Sequence, residues 1–314
     1  MKLALLKQHP RKLLALLALL AVAYYFCLPH PLFNRPSCMV LEDRDGQLLG
    51  AKIASDGQWR FPAIDSIPQK FEIALLQFED QRFYRHIGVD FWSLGRALGQ
   101  NIRNGRVVSG GSTLSMQVIR LSRPGKARSI WQKAIEIMLA TRLELRHTKS
   151  EILNLYATHA PFGGNVVGLE TASWRYFGKS PQLLSWAEAA MLAVLPNSPG
   201  LIHPGRNRAA LRDKRNRLLK KLFTKGIIDQ FTLDLATEEP LPDAPLPLPQ
   251  LAPHLLERAH KEVASKTPEQ PTRVRTSLQA ALQQQLNAIV SRHQNQLKYN
   301  EIYNAAALLL DVET

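Results

Sequence analysis

Leu13 to Leu28 reads LLALLALLAVAYYFCL, sixteen residues without a charge, closed by Pro29. No other stretch limits the fold as strongly, because so long an apolar run must either enter a bilayer or be covered by protein. A membrane-spanning helix needs ~17–25 apolar residues. Leu3 to Leu6 add apolar surface, and the stems of Arg11 and Lys12 can lie along it with their charges in water, so the spacing predicts a spanning anchor over 13–28. Lys2, Lys7, Arg11 and Lys12 precede the run with no acid among them. By the positive-inside rule, residues 1–12 form a cytoplasmic basic tail and the rest is exported. The alternative is a cleaved signal peptide, with Ala21-Val22-Ala23 as its cleavage site. Tyr24, Tyr25 and Phe26 continue the apolar run past that site, as an anchor does.

The charge balance comes next. Forty Lys and Arg against twenty-six Asp and Glu give a net charge of +14. The excess is concentrated: residues 101–150 carry ten basic residues against Glu136 and Glu144, and residues 201–225 carry nine against Asp213. Such clusters call for an anionic partner. Nucleic acid is excluded by export. Two cysteines, Cys27 and Cys38, supply neither a disulfide framework nor a thiolate metal cluster.

The periodicity predicts a mostly helical body over residues 66–235. Val40-Leu41 and Leu48-Leu49 flank Asp43-Arg44-Asp45-Gly46, which predicts a short hairpin connector within 40–65. Pro68 opens a helix expected to run to about Arg85, and a second covers about Phe91–Ile102. Arg106–Ser112 reads as a loop, Thr113–Leu121 as a helix and residues 128–147 as a long helix. Thr148-Lys149-Ser150-Glu151 and Ser185-Trp186-Ala187-Glu188 are capping boxes that open further helices. A basic amphipathic helix follows at 207–224, ending near Gly226. Six prolines between 240 and 253 mark a linker over 236–254. Residues 255–314 read as the start of a further α/β domain, with helices at 255–265 and 278–292. Ala305–Leu310 reads as a strand.

Two constellations carry candidate chemistry. On a continuous helix, Glu79, Phe83 and His86 share one face, with Glu79 beside Leu75 and Phe78. A carboxylate there is partly desolvated, which suits a general base. A border carboxylate paired with Arg82 or Arg85 is the plainer reading. Ser109-Gly110-Gly111-Ser112-Thr113 approaches a Walker A loop, but Gly111 stands where Lys is needed, so no nucleotide site is expected. Its backbone N–H groups suit a phosphate; a flexible loop capped by Ser112 is the alternative. Glu136, a lone acid in a basic stretch, is either a structural counter-ion or a group that orients Lys133. There is no G-x-S-x-G, H-E-x-x-H, S-x-x-K or K-T-G motif. His86, His147 and His159 show no metal-ligand spacing.

EDQRFYRHIGVD, GGSTLSMQ, KAIE, KSEILNLY, APFGG, GLETAS, YFGKSP and EAAMLAVLPNSP follow one another between residues 79 and 199. In order and spacing they resemble the motifs of the peptidoglycan glycosyltransferases, the N-terminal domain of class A penicillin-binding proteins. The resemblance covers about 65–222. It implies a mainly α, lysozyme-like domain at the outer face of the inner membrane, polymerising lipid II into glycan strands. It implies that residues 273–314 open a transpeptidase-type domain. The family's catalytic Glu maps onto Glu79 and its second Glu onto Glu136. Its substrate-binding positions map onto Asp80, Phe83, His86, Gly110, Ser112, Thr113, Gln117, Lys133 and Lys149, with Gly88 among the matched positions. Implied partners are lipid II, the nascent glycan strand, inner-membrane lipid reached through Val89, Phe91, Trp92 and Leu94, and other cell-wall synthesis or hydrolysis proteins. No cofactor is required by the resemblance; some members are helped by a divalent ion near the pyrophosphate. Gln132 and Lys214 replace usual arginines, Met116 a Gln, Asn154 a Glu and Thr158 an Asn. Glycan cleavage on a lysozyme-like fold, or a non-catalytic cell-wall scaffold, are the alternative functions.

Overall fold

A computed structural model of the chain describes residues 10–106, 110–126, 129–197, 204–266, 272–310 and 312. The first nine residues of the basic tail, Ser109 of the glycine-rich loop and Ser198-Pro199 of the last motif lie outside the described residues. The chain opens with helix α1, Pro10–Phe26. Its seventeen residues extend about 26 Å at 1.5 Å per residue, short of a hydrocarbon core of ~30 Å. Among the described residues no helix is long and apolar enough to cross a membrane. The spanning anchor expected over 13–28 is therefore not supported. The reason lies at the end of the run: Cys27 and Leu28 leave the helix and pack into the protein core. Tyr24 Oη bonds Thr141 Oγ1 at 2.9 Å, and Arg142 Nε donates to the carbonyl of Tyr25 at 3.0 Å. The leucines of α1 stay exposed.

Strands β1 (Met39–Glu42) and β2 (Leu48–Lys52) form the expected antiparallel hairpin. Asp43 Oδ1 closes its turn by accepting from the N–H groups of Asp45 and Gln47. The short β3 (Trp59–Arg60) follows. Helix α2 (Gln69–Glu79) buries Phe71, Ala74 and Leu75 at the centre of the main core. It stops at Glu79, six residues before the sequence-based expectation, and a 3₁₀ turn at Phe83–Arg85 replaces its last part. Glu79, Phe83 and His86 thus do not share a helix face. The break arises because Asp80 turns its carboxylate away to Leu114 N and His86.

Helices α3 (Phe91–Asn104), α4 (Leu114–Ser122), α5 (Ile130–Glu144) and α6 (Lys149–His159) come next. Strands β4 (Pro161–Gly163) and β5 (Val166–Val167) join β3 in a small sheet of order β3-β5-β4. Then follow α7 (Leu169–Phe177), α8 (Trp186–Val194), α9 (Arg208–Thr224) and α10 (Gln230–Glu238). Both capping boxes form, at Thr148–Glu151 and Ser185–Glu188. One continuous core joins α2, α4, α5, α6, α8 and α9 through residues such as Phe71, Ile119, Leu143, Tyr156, Leu192 and Leu219.

The remaining elements are α11 (Pro253–Lys266), β6 (Thr272–Arg275) and α12 (Ala280–Leu297). Strand β6 pairs in parallel with β1, so the sheet order is β2-β1-β6. Leu41, Leu49 and Ala259 form a small core there. The Arg273 guanidinium bridges Glu42 of β1 and Glu170 of α7 and also donates to the carbonyl of Pro62. Ala305–Leu310, expected as a strand, is irregular, with Leu308, Leu309 and Leu310 exposed. A strand needs a neighbour for its backbone groups, and none is placed beside this segment among the described residues.

Candidate active site

The end of α2 places Glu79 on a cleft of about 640 Å³. The rest of the wall comes from Gly110, Ser112, the α4 residues Gln117 and Arg120, the α5 residues Gln132, Lys133 and Glu136, and Asn197. Tyr156, Ala160 and Pro161 line the same cleft. Gln117 Nε2 donates to Glu79 Oε2 at 2.7 Å. Glu79 Oε1 is shielded from solvent without a hydrogen-bond partner. Burial lifts the pKa of Glu79 above the ordinary value of 4.5, and Asp80 adds to the lift; Gln117, Asn197 and Lys214 pull against it. A raised carboxylate set beside the side-chain amides of Gln117 and Asn197 is suited to taking a proton.

Glu136 is met by Arg120, whose Nε and Nη2 donate to its two oxygens at 2.9 and 2.8 Å. This fork raises the pKa of Arg120 further, the Glu136 hydrogen bond being the main cause. Glu136 is therefore the counter-ion of Arg120, a residue the motif reading did not single out. Only its position three residues after Gln117, on the next turn of α4, signalled it. Lys133 Nζ donates to Ser112 Oγ, tying the glycine-rich loop to α5. Arg123 and Lys126 complete a cationic side of the cleft. Lys214 of α9 reaches Asn197 Oδ1, on the cleft wall, at 3.2 Å and acts electrostatically on Glu79.

The other expected site residues are not on the cleft. Asp80 accepts from Leu114 N at 3.0 Å and meets His86 Nε2 at 3.0 Å. Thr113 caps α4 and donates to the carbonyl of Gly88. Lys149 donates to the carbonyl of His86 and to Glu144, both at 2.7 Å, with its ammonium 4.3 Å from the centre of the Phe83 ring. Phe83 itself is in the core. Gly88 has φ +80°, and a Cβ there would fall 2.6 Å from the backbone of Ala140 in α5. This close approach is what brings the segment after Glu79 against α5.

The departures from the family pattern have local partners. Met116 is fully buried among apolar neighbours. Asn154 donates to the carbonyl of Ile64 and accepts from Thr158 Oγ1, so the two substituted positions satisfy each other one turn apart on α6. Among the described residues no group of three or more His, Cys, Asp or Glu is placed to hold a metal ion. The two cleft glutamates each already accept from a neighbouring side chain.

Residues 45–223 match the transglycosylase family model. The chain is 38% identical over 276 residues to penicillin-binding protein 1C of Escherichia coli strain K12, covering 86% of this chain and 34% of that protein. It is 38% identical over 221 residues to penicillin-binding protein 1A of Pseudomonas aeruginosa, covering 69% of this chain and 27% of that one. A crystal structure of penicillin-binding protein 1A from Haemophilus influenzae superposes with a TM-score of 0.38 at 20% identity, over 90% of this chain and 32% of that one, too loosely to add to the assignment. The chain thus spans between about a quarter and a third of the length of the curated relatives it matches. A mainly helical body, a cleft lined by Glu79 and Glu136, and the sequence match over more than half the chain agree. The chain belongs to the transglycosylase family, as a glycosyltransferase domain of the class A penicillin-binding proteins.

Proposed function

We propose that this chain polymerises lipid II into β-1,4-linked glycan strands and releases undecaprenyl pyrophosphate. The observation that carries the reading is the arrangement of the cleft: a raised-pKa carboxylate at one point and Arg120, Arg123, Lys126 and Lys133 along one side. Glu79 takes the proton of the acceptor 4-hydroxyl. That oxygen attacks the anomeric carbon of the growing chain, and the bond from that carbon to the pyrophosphate oxygen breaks. A single displacement converts the α linkage into β. The basic residues neutralise the departing pyrophosphate where its charge develops, which is typically the larger contribution to rate. Glu136 fixes the plane of the Arg120 guanidinium, and Lys133 holds Ser112 and the glycine-rich loop in reach of the phosphates. Gln132, with no formal charge, leaves one fewer cation there than the family pattern supplies.

Membrane contact belongs to the same reading. The leucines of α1 are exposed, and so are Phe91 and Trp92 of α3 and Ile130 and Trp131 of α5. These apolar groups suit insertion into the bilayer that holds the lipid-linked substrate, on its extracytoplasmic face. Val89, grouped with them by the resemblance, is in the protein interior instead. Residues 66–235 are read as the glycosyltransferase domain and 255–314 as the start of a transpeptidase-type domain joined by the 236–254 linker. Incubation with labelled lipid II and gel separation tests the proposal. A ladder of long glycan strands is expected. Unconsumed lipid II, or soluble muropeptides released from purified sacculi, would reject it.

A further inference from the structure

Behind the cleft lies a closed ring of hydrogen bonds that touches no point of the cleft wall. Asp80, at the residue after Glu79, accepts from Leu114 N at the start of α4. Its carboxylate also meets His86 Nε2, whose own carbonyl accepts from Lys149 Nζ at 2.7 Å. Lys149 pairs with Glu144 at 2.7 Å, and Glu144 accepts from Ser115 Oγ at 2.5 Å, which returns the ring to α4. The side chains of Asp80, His86 and Glu144 are 4 to 6% exposed. The ring therefore connects the end of α2, the start of α4, the end of α5 and the start of α6. The two ends it joins most directly carry Glu79 and, one turn into α4, Gln117, which meet at 2.7 Å.

We propose that Lys149 is a positioning residue, not a phosphate ligand: with Glu144 and Ser115 it fixes the distance between α2 and α4, and so the hold of Gln117 on Glu79. Three features carry this. The ammonium is seated over the Phe83 ring, between one carboxylate and one carbonyl, so its donors are directed inward. It is absent from the cleft wall that Lys133, Arg120 and Lys126 share. Its partner Glu144 is bound a second time from α4, so loss of the pair releases α4 as well as α6. Without Lys149, Glu144 keeps only the Ser115 hydroxyl and the His86 ring at 3.9 Å, and a buried carboxylate that loses its cation is strongly destabilising.

The inference rests on the proposed glycosyltransferase activity. If the unaltered protein makes no polymer from lipid II, that reading fails; the variants below bear on Lys149 only once it does. Lys149→Met keeps the length of the side chain and removes its charge and donors; Ser115→Ala removes one ring bond and no charge. Steady-state polymerisation is measured across pH, with binding of a non-reacting lipid II analogue measured separately. For Lys149→Met, kcat falls about tenfold or more, while KM and analogue affinity stay within about twofold. The acid limb of kcat/KM moves to higher pH, because Gln117 no longer holds the ionised carboxylate as firmly. Arg120, Tyr156 and Lys214 also act on Glu79 and lie outside the ring; Asp80, which raises Glu79, is within the ring and keeps its charge in both variants. Ser115→Ala moves kcat and the limb in the same directions by less. A general loss of folded protein would lower kcat without moving the limb. A tenfold loss of analogue affinity with the limb unmoved would make Lys149 a phosphate ligand and overturn the proposal. Should Lys149→Met not fold, Ser115→Ala decides alone: a folded variant with unaltered kcat and limb rejects the ring as a positioning device.

Discussion

Replacing Glu79 by Gln separates proton transfer from everything else the cleft does. The amide is nearly the same size, and its oxygen can still accept from Gln117 Nε2, which now lies 2.7 Å from Glu79 Oε2. The cationic side, with the Arg120–Glu136 fork and the Lys133–Ser112 contact, is untouched. What disappears is the base, and general base catalysis typically contributes ~10²–10⁴ in rate, about 3–5.5 kcal/mol of barrier. Glu79→Gln is therefore expected to lower polymer yield from labelled lipid II by that factor while analogue binding stays within about twofold. Stability moves the other way. The folded protein raises the pKa of Glu79 above 4.5, chiefly by burial. Between the ordinary and raised values the native state holds more protons than the unfolded chain, so this group costs stability as pH rises through that window. Glu79→Gln removes the cost. Its Tm at pH 7 is expected to equal or exceed that of the unaltered protein, the difference vanishing in acid below the ordinary glutamate range. Polymer yield at the unaltered level would reject Glu79 as the base. A marked fall in Tm would show that the carboxylate serves the fold.

Three further outcomes can be measured. Arg120→Ala strips Glu136 of its bidentate partner and is expected to reduce polymerisation at least tenfold, and Arg120→Lys should recover only part of it, since an ammonium cannot reproduce the fork. Gly88→Ala combines a positive φ with a clash against the Ala140 backbone; denaturant unfolding should show a loss of about 2–5 kcal/mol. Replacing Trp92 and Trp131 by Ser should reduce co-sedimentation with phospholipid vesicles severalfold without changing the circular dichroism of the free protein, because both side chains are largely exposed; unaltered sedimentation would remove them from the membrane-contacting surface.

What the sequence discloses follows the range of the forces involved. The two capping boxes are complete within four residues each, and both form as read. The β1–β2 hairpin is likewise a local matter of alternation and a turn. The end of α2 is not. Apolar periodicity carries on past Glu79, and only the demand of Leu114 N, thirty-four residues away, takes Asp80 out of the helix. The same distance in sequence hides the seat of Lys149, whose carbonyl partner at His86 lies sixty-three residues earlier. Motif order places Glu79, Gln117, Lys133 and Glu136 around one cleft without revealing that Glu136 is already engaged by Arg120. The apolar run at the N-terminus reads as uniform, yet its last two residues serve the protein core and not the exposed helix.

The parallel pairing of β6 with β1 has a practical meaning for anyone cutting this chain. The hairpin at residues 39–52 comes before the helical body and Thr272–Arg275 comes after it, yet they share one sheet and one partly buried guanidinium. The body is thus clasped between two pieces of a single small unit, like a page held by both covers. Ending the gene at the proline-rich stretch would bare Leu41 and Leu49 and leave Glu42 and Glu170 facing each other with no cation between them. An excision has to keep Thr276, Leu278 and Ala280 as well, because they bond Glu42, Arg44 and Asp43 of the hairpin.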